Sequence, residues 1–304
     1  MNITDEKTKV TAHIVNGFVK NGTGGNPAGV VFDADHLTDE DMLQIAAKIG
    51  LSETAFVSRS DKAGFRLDFF TPNRRIAHCG HATIAAFAHM AETGAVAEGE
   101  TSKMTVDGPR KITIKGEQAF MEQIAPSYET PAQWSDKGVS LQDVLNSLGL
   151  DEADMMDGVD PQLVNTGNSF VVVPVKNEDV LAGITPDLDA ISAISDKLDL
   201  IGYYVFTTSP SSSSSHATTR MFAPRYAIPE EAATGMAAGP LGCFLYDVMG
   251  IKETHMTIDQ GDFMTPASPS TIIVDLTLDT TGAITSLTAG GYGRSMRQME
   301  IELE

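Results

Sequence analysis

The sequence predicts an α+β chain built as two similar halves, and three observations carry that expectation. Phe70-Thr71-Pro72 leading to Cys79-Gly80-His81-Ala82-Thr83 is echoed by Phe222-Ala223-Pro224 leading to Thr234-Gly235-Met236-Ala237-Ala238, with the two glycines 155 residues apart in a chain of 304. That length exceeds what one hydrophobic core usually fills, so the echo reads as one plan used twice. Strand-like runs separated by short turn signals recur along the chain, a grammar of antiparallel meanders with helices between them.

Taken in order, His13 to Val19 and Ala28 to Phe32 read as strands joined by the glycine-rich run Asn21 to Pro27. That run lacks a Gly-Lys-Ser/Thr ending and no helical pattern follows it, so it is not a phosphate loop. Thr38 to Ile49 is the clearest helix: Thr38 suits an N-cap, Asp39, Glu40 and Asp41 fill the first turn, and Met42, Ile45, Ala46 and Ile49 share one face before Gly50. Ser52 to Ser58 and Phe65 to Phe70 are expected strands, and Gly80 to Thr93 is apolar nearly all round, the mark of a buried helix. Lys103 to Asp107, Arg110 to Lys115 and Gln118 to Ile124 continue as a meander, and the polar stretch Ala125 to Ser140 reads as a linker.

The second half repeats the mixture. Helices are expected at Ser140 to Leu148, Asn177 to Gly183, Pro186 to Ser195 and Gly235 to Met249, the last containing Pro240. Strands are expected at Ser169 to Val175, Leu200 to Thr207, Thr271 to Leu278, Ile284 to Ala289 and Met296 to Leu303, with a hairpin loop at the serine run Ser211 to Ser215. The boundaries that follow are residues 1–126 for a first domain, completed by a C-terminal strand at about 290–304, and 127–289 for a second.

Composition narrows the functional classes. Forty-one acidic residues against 21 Lys plus Arg give a formal charge of −20, which repels nucleic-acid phosphates and anionic lipid surfaces. A cleft with a few N–H groups can still hold a small anion, because distant surface charge is screened. Cys79 and Cys243 form no CxxC, the seven histidines include no HExxH, and no metal or organic cofactor is expected. The polar start, Met1 to Val10, and the lack of a long apolar run lead to the expectation of a cytoplasmic protein.

Several side chains could carry chemistry. Glu53 lies among apolar neighbours in Leu51 to Val57; it is either a surface glutamate or, drawn into a dry cleft, a general base. His81 follows Gly80 at a helix start, where it either relays a proton as a neutral ring or simply caps the helix. Cys79 is either a thiol activated by that helix end or a small packing residue. Glu230 and Glu231 approach the second helix start, as a further acid/base or as a solvated turn, and Arg220 could fork onto a carboxylate or close an internal salt bridge. Each helix start also offers N–H groups that have no intrahelical partner, suited to an anion.

Taken in order, Gly25 to Val30, Ser52-Glu53-Thr54-Ala55-Phe56, Phe69 to Pro72, Cys79 to Thr83, Arg220 to Pro224 and Glu231 to Gly242 resemble the phenazine-biosynthesis (PhzF-like) isomerase family over nearly the whole length. The resemblance implies a diaminopimelate-epimerase-like fold: two similar domains, each a curved, mostly antiparallel sheet around a central helix, with the active site between them. It implies cofactor-independent proton transfer at carbon, with Glu53 and His81 matching the family's catalytic glutamate and histidine. Glu231 stands where the family usually has an aspartate, and Met236 replaces the serine after the Thr-Gly. Contacts to a small anionic substrate are expected from Asn26, Ser52, Cys79, Gly80, Ala82, Thr83, Thr234, Gly235, Met236 and Ala237, and a homodimer is expected. Two other readings stand beside this one: a catalytically silent binding protein of the same fold, and an epimerase using Glu53 and Cys79. A two-thiol racemase is disfavoured because Thr234 holds the place of the second cysteine.

Overall fold

The computed structural model describes residues 9–208 and 214–303, so the first eight residues and most of the serine run lie outside it. The chain divides into two compact units, one made of Met1–Gly22, Asn26–Met121 and Gly291–Glu304, the other of Thr23–Gly25 and Glu122–Gly290.

The first unit holds β1 (Lys9–Gly17), β2 (Asn26–Val31), α1 (Asp39–Ile49), β3 (Thr54–Ser58), β4 (Phe65–Phe70), β5 (Arg75–Ile76), α2 (Gly80–Glu92), β6 (Gly99–Thr105), β7 (Gly108–Lys115) and the start of β8 (Gln118–Ile124), whose last three residues count with the second. The second holds β9 (Ser127–Glu129), α3 (Pro131–Trp134), α4 (Leu141–Leu148), β10 (Gln162–Asn165), β11 (Ser169–Pro174), α5 (Glu178–Gly183), α6 (Leu188–Leu198), β12 (Gly202–Thr207), β13 (Ala217–Ala223), β14 (Ile228–Glu231), α7 (Gly235–Asp247), β15 (His255–Gln260) and β16 (Ser270–Leu278). One long strand, β17 (Ile284–Glu302), closes the chain.

The echo seen in the sequence is an echo of pairing. In the first unit β1 and β2 pair antiparallel, β2 and β3 parallel, β3 and β4 antiparallel, β4 and β5 antiparallel, β4 and β6 parallel, and β6 and β7 antiparallel. The series β10, β11, β12, β13, β14, β15 and β16 repeats those six relations in the same order. In both units the strand ending at the Phe-x-Pro corner turns into a short return strand, β5 or β14, which delivers the chain to a helix of 13 residues, α2 or α7.

Those two helices are the cores. Every residue of α2 from Gly80 to Met90 is buried, and the helix packs on β1, β2, β3 and β7. The fit is close: a Cβ built on Gly17 of β1 would stand 3.1 Å from the His81 carbonyl oxygen, and one on Gly293 of β17 would stand 2.7 Å from Ala88 Cβ. Helix α7 packs likewise on β10, β11, β12 and β16. On the outer face of the first sheet, Met42, Ile45, Ala46 and Ile49 of α1 meet Ala12, Ile14, Val31, Phe56 and Phe70. In the second unit, Trp134, Leu145, Leu148, Leu181, Ile191 and Leu198 cover Val171, Tyr203, Val205 and Phe222.

Three expectations are corrected. The stretch from Ala125 to Ser140 is no linker: it carries β9, which pairs with β10, and the short helix α3, whose capping box of Thr130 and Gln133 seats a fully buried Trp134. The strands expected at Ile284 to Ala289 and Met296 to Leu303 are one 19-residue strand. Glu53 does not lie within a strand: it immediately precedes β3, and its carbonyl accepts a 3.0 Å hydrogen bond from the Gly29 amide in β2.

Candidate active site

The first unit gathers three of the expected residues at the opening of α2. Cys79 is the extended N-cap residue, with φ −144° and ψ 122°, and the His81 ring reaches back beside it. Cys79 Sγ and His81 Nδ1 are 3.6 Å apart, in hydrogen-bond contact, and His81 Nε2 lies 3.4 Å from Glu53 Oε2. The side chains of His81 and Glu53 are 5% and 13% exposed. The Glu53 Oε2 atom itself is shielded from solvent and accepts no hydrogen bond among the described residues, so a buried proton acceptor is held in place with spare capacity.

Donor atoms of Glu53, Cys79 and His81 lie within 4.8 Å of one another, a spacing that a metal ion could use. The arrangement about the ring points elsewhere, since the thiol faces Nδ1 and the carboxylate faces Nε2. The imidazole therefore stands as a bridge between two acid/base groups, each addressing a different nitrogen. Around them, Gly80, Ala82 and Thr83 are buried, and Thr83 Oγ1 donates a 2.6 Å hydrogen bond to the Cys79 carbonyl, closing the first turn. The first-turn amides have no intrahelical acceptor and point out of the helix start. Asn26 is buried at the beginning of β2, whereas Ser52 is exposed.

In the second unit the corresponding start of α7 carries a different network. Thr234 Oγ1 donates to Glu231 Oε2 at 2.6 Å, while its amide donates to Gln260 Oε1 at 3.1 Å. Gln260 Nε2 donates to the Glu231 carbonyl at 2.7 Å, and the buried Tyr204 hydroxyl donates to Gln260 Oε1 at 2.9 Å. The Glu231 carboxylate is thus oriented by Thr234, and the Glu231–Thr234 turn is fixed by Gln260. Gly235 and Ala237 are buried, and Met236 is half-buried with its sulfur 3.3 Å from the Asn168 side-chain amide.

Arg220 and Glu230 take the structural alternative. The guanidinium forks onto the Glu230 carboxylate, Nε to Oε1 at 2.7 Å and the second arm to Oε2 at 2.8 Å, and its remaining nitrogen donates to the carbonyls of Leu181 and Ile184 at the end of α5. Its donors are already committed within the protein. Glu230 is likewise committed to Arg220.

Sequence reasoning missed two residues. Gln260, at the end of β15, carries no motif. Lys103 of β6 is fully buried beneath α2: its ammonium donates to Thr83 Oγ1 at 2.5 Å, stands 3.1 Å from His78 Nδ1, and lies 5.0 Å from the Phe69 ring centroid. Burial pulls Lys103 down to about 7, with Arg110 pushing the same way and Cys79 opposing. Burial, then the charges of Lys103 and Arg110, pull His78 down to about 3, so its ring is neutral and its Nδ1 can accept from the ammonium.

Residues 15–288 match the family described as phenazine biosynthesis-like protein, PhzC-PhzF. The chain belongs to that family. The "Uncharacterized isomerase YddE" of Escherichia coli O157:H7 is 34% identical over 241 residues, which covers 78% of this chain and 79% of the relative. The trans-2,3-dihydro-3-hydroxyanthranilate isomerase of Pseudomonas chlororaphis is 29% identical over 238 residues, 76% of this chain and 78% of that protein. Among solved structures, the Bacillus anthracis phenazine biosynthesis protein of the PhzF family superposes with a TM-score of 0.86 at 26% identity, covering 97% of this chain and all of the other. The PhzF-like membership and the diaminopimelate-epimerase-like α+β fold inferred from the motifs both hold, and the enzyme class is isomerase. No helix among the described residues is long and apolar enough to cross a membrane.

Proposed function

We propose that this protein is a cofactor-independent isomerase that moves a proton between two carbons of a small carboxylate-bearing substrate, with Glu53 as the general acid/base. The observation that carries the reading is the shielded Glu53 Oε2 facing His81 Nε2 at 3.4 Å beside the opening of α2. The substrate's anionic group docks on the first-turn amides of α2, which fixes the reacting carbon against Glu53. As the C–H bond breaks, the carboxylate takes the proton and the electron pair moves along the adjacent π system. The proton then passes from the Glu53 carboxyl to the distal carbon, and the carboxylate is regenerated. His81 orients Glu53 and buffers its charge during the transfer. Among the relatives, the Pseudomonas chlororaphis protein is named for such a substrate, trans-2,3-dihydro-3-hydroxyanthranilate, which supports a cyclic unsaturated amino acid as the substrate class here.

The test is carbon-bound proton exchange in deuterated water, with trans-2,3-dihydro-3-hydroxyanthranilate and a panel of cyclic unsaturated amino acids. Wild-type protein should incorporate deuterium at the protonated carbon and Glu53→Gln should not. Binding without exchange across the panel would replace this reading with a silent binding protein.

A second reading has its own observation, the 3.6 Å contact of Cys79 Sγ with His81 Nδ1. It makes Cys79 the second acid/base of an epimerase, working with Glu53 through the bridging ring. Inversion of an α-carbon that is abolished by Cys79→Ser would select it.

A further inference from the structure

Lys103 is left unused by the proposed chemistry, and its placement is costly. An ammonium with no exposed surface sits beneath the first turn of α2, the end of a helix that already carries positive partial charge. No carboxylate among the described residues lies within ion-pair distance of it; its polar neighbours are the Thr83 hydroxyl and the neutral His78 ring. The charged or titratable groups facing it are His78 and Cys79 from the chain before α2 and Arg110 from β7, and none of them is a fixed anion. A buried charge without an opposite partner is among the most destabilising things a core can hold.

The cost is explained if the missing anion arrives with the ligand. We propose that Lys103 is a positioning residue for the substrate's anionic group: its buried charge, which no carboxylate among the described residues pairs, is completed by the anion that docks on the amides opening α2. This rests on the reading that α2 opens the substrate site. Lys103 acts at one remove, through Thr83, whose hydroxyl accepts from the ammonium at 2.5 Å and donates to the Cys79 carbonyl at 2.6 Å. The ammonium therefore holds the loop-to-helix corner in shape and adds its field to the amides that face the anion. Because the ammonium titrates near neutrality in the empty protein, docking of an anion must draw a proton onto it.

Calorimetry with anthranilate as the probe tests this, run in two buffers of different ionisation enthalpy to count protons. At about pH 8.5 wild-type protein should take up close to one proton per anthranilate, and at about pH 6 close to none. Lys103→Met and Lys103→Gln should take up none at either pH, and should weaken anthranilate binding by at least about tenfold. Melting temperatures without ligand should stay the same or rise for Lys103→Met, a combination that a merely structural lysine would not give. A Cys79→Ser background should keep the uptake, which assigns the proton to the lysine.

Equal affinity and equal proton uptake in wild type and Lys103→Met overturn the proposal, as does a wild-type protein that gives no heat with millimolar anthranilate. Loss of binding accompanied by a lowered melting temperature in both lysine variants overturns it too. The two readings fail separately. If Glu53→Gln still exchanges carbon-bound protons while Lys103→Met loses the anion, the assignment of the base falls and that of the lysine stands. If Glu53→Gln is silent while Lys103→Met binds and takes up protons as wild type does, the base stands and the lysine falls.

Discussion

At the scale of single residues, the site is a contrast between groups held with capacity to spare and groups already spent. Glu53 has an oxygen that accepts no hydrogen bond among the described residues, while Arg220 has its donors committed to Glu230 and to the end of α5. Substituting Glu53→Gln should therefore lower turnover by about 10³-fold while leaving anthranilate affinity within a few-fold, read as a loss in kcat without a matching rise in Kd. Arg220→Ala should do the opposite. It strands Glu230 in a mostly buried position and should cost about 3 to 5 kcal/mol of stability in urea unfolding, so a silent Arg220→Ala would contradict the inward role of this guanidinium.

Which of these residues the sequence disclosed follows from what surrounds each. Glu53, Cys79 and His81 stand in ordered motifs, so their side-chain types and spacing are readable along the chain. Lys103 is not, because β6 inverts the usual alternation: Lys103 and Thr105 face inward while Val106, just past the strand, is 59% exposed. A strand reading assigns the lysine to solvent and the apolar neighbours to the core. Gln260 is hidden for a related reason, since its value lies in partners contributed by other elements, Thr234 and Tyr204.

At the scale of elements, helix capping was legible and buried polar pairing was not. Helix α1 follows its sequence closely: Thr38 and Asp41 form a full capping box and Gly50 ends the helix in the left-handed region at φ 71°. Thr38→Ala should cost about 1 kcal/mol, measurable by urea unfolding, with no effect on proton exchange. Helix α3 escaped because its four residues are too few to show a helical period and its single buried anchor is Trp134.

Strand β6 gives a prediction with a definite sign. Lys103 titrates at about 7 in the folded chain against 10.5 for an ordinary lysine, so between those values the unfolded chain binds more protons. Stability contributed by this residue must then rise as pH climbs from about 7 toward 10.5, and the penalty is complete below 7. Lys103→Met should remove that upward slope and should be the more stable protein at pH 6. A melting temperature for Lys103→Met below that of wild type at pH 6, with the slope intact, would refute this account.

At the scale of the whole molecule, the charge of −20 and the duplicated plan dominate. Self-repulsion of a surface so acidic should be relieved by salt, and the melting temperature should rise between about 10 mM and 150 mM sodium chloride, where the screening length shortens several-fold. A flat response would mean the carboxylates are compensated locally. The duplication was visible as a 155-residue echo in two short motifs, yet the six matching strand pairings behind it were beyond reach. Parallel neighbours such as β2 with β3 and β11 with β12 are joined by helical crossovers, and periodicity along one strand does not name its partner across such a gap.

The long strand β17 bears on the order in which the first unit can be assembled. From Gly293 to Glu302, β17 lies antiparallel to β1, so the sheet that cradles α2 joins strands far apart in sequence. A nascent chain leaving the ribosome can finish residues 122–290 while β1 has β2 beside it and still lacks β17. The sheet around α2 is thus completed only once residues 293–302 have been made, and a ribosome stalled at residue 290 would display one completed lobe and one still open.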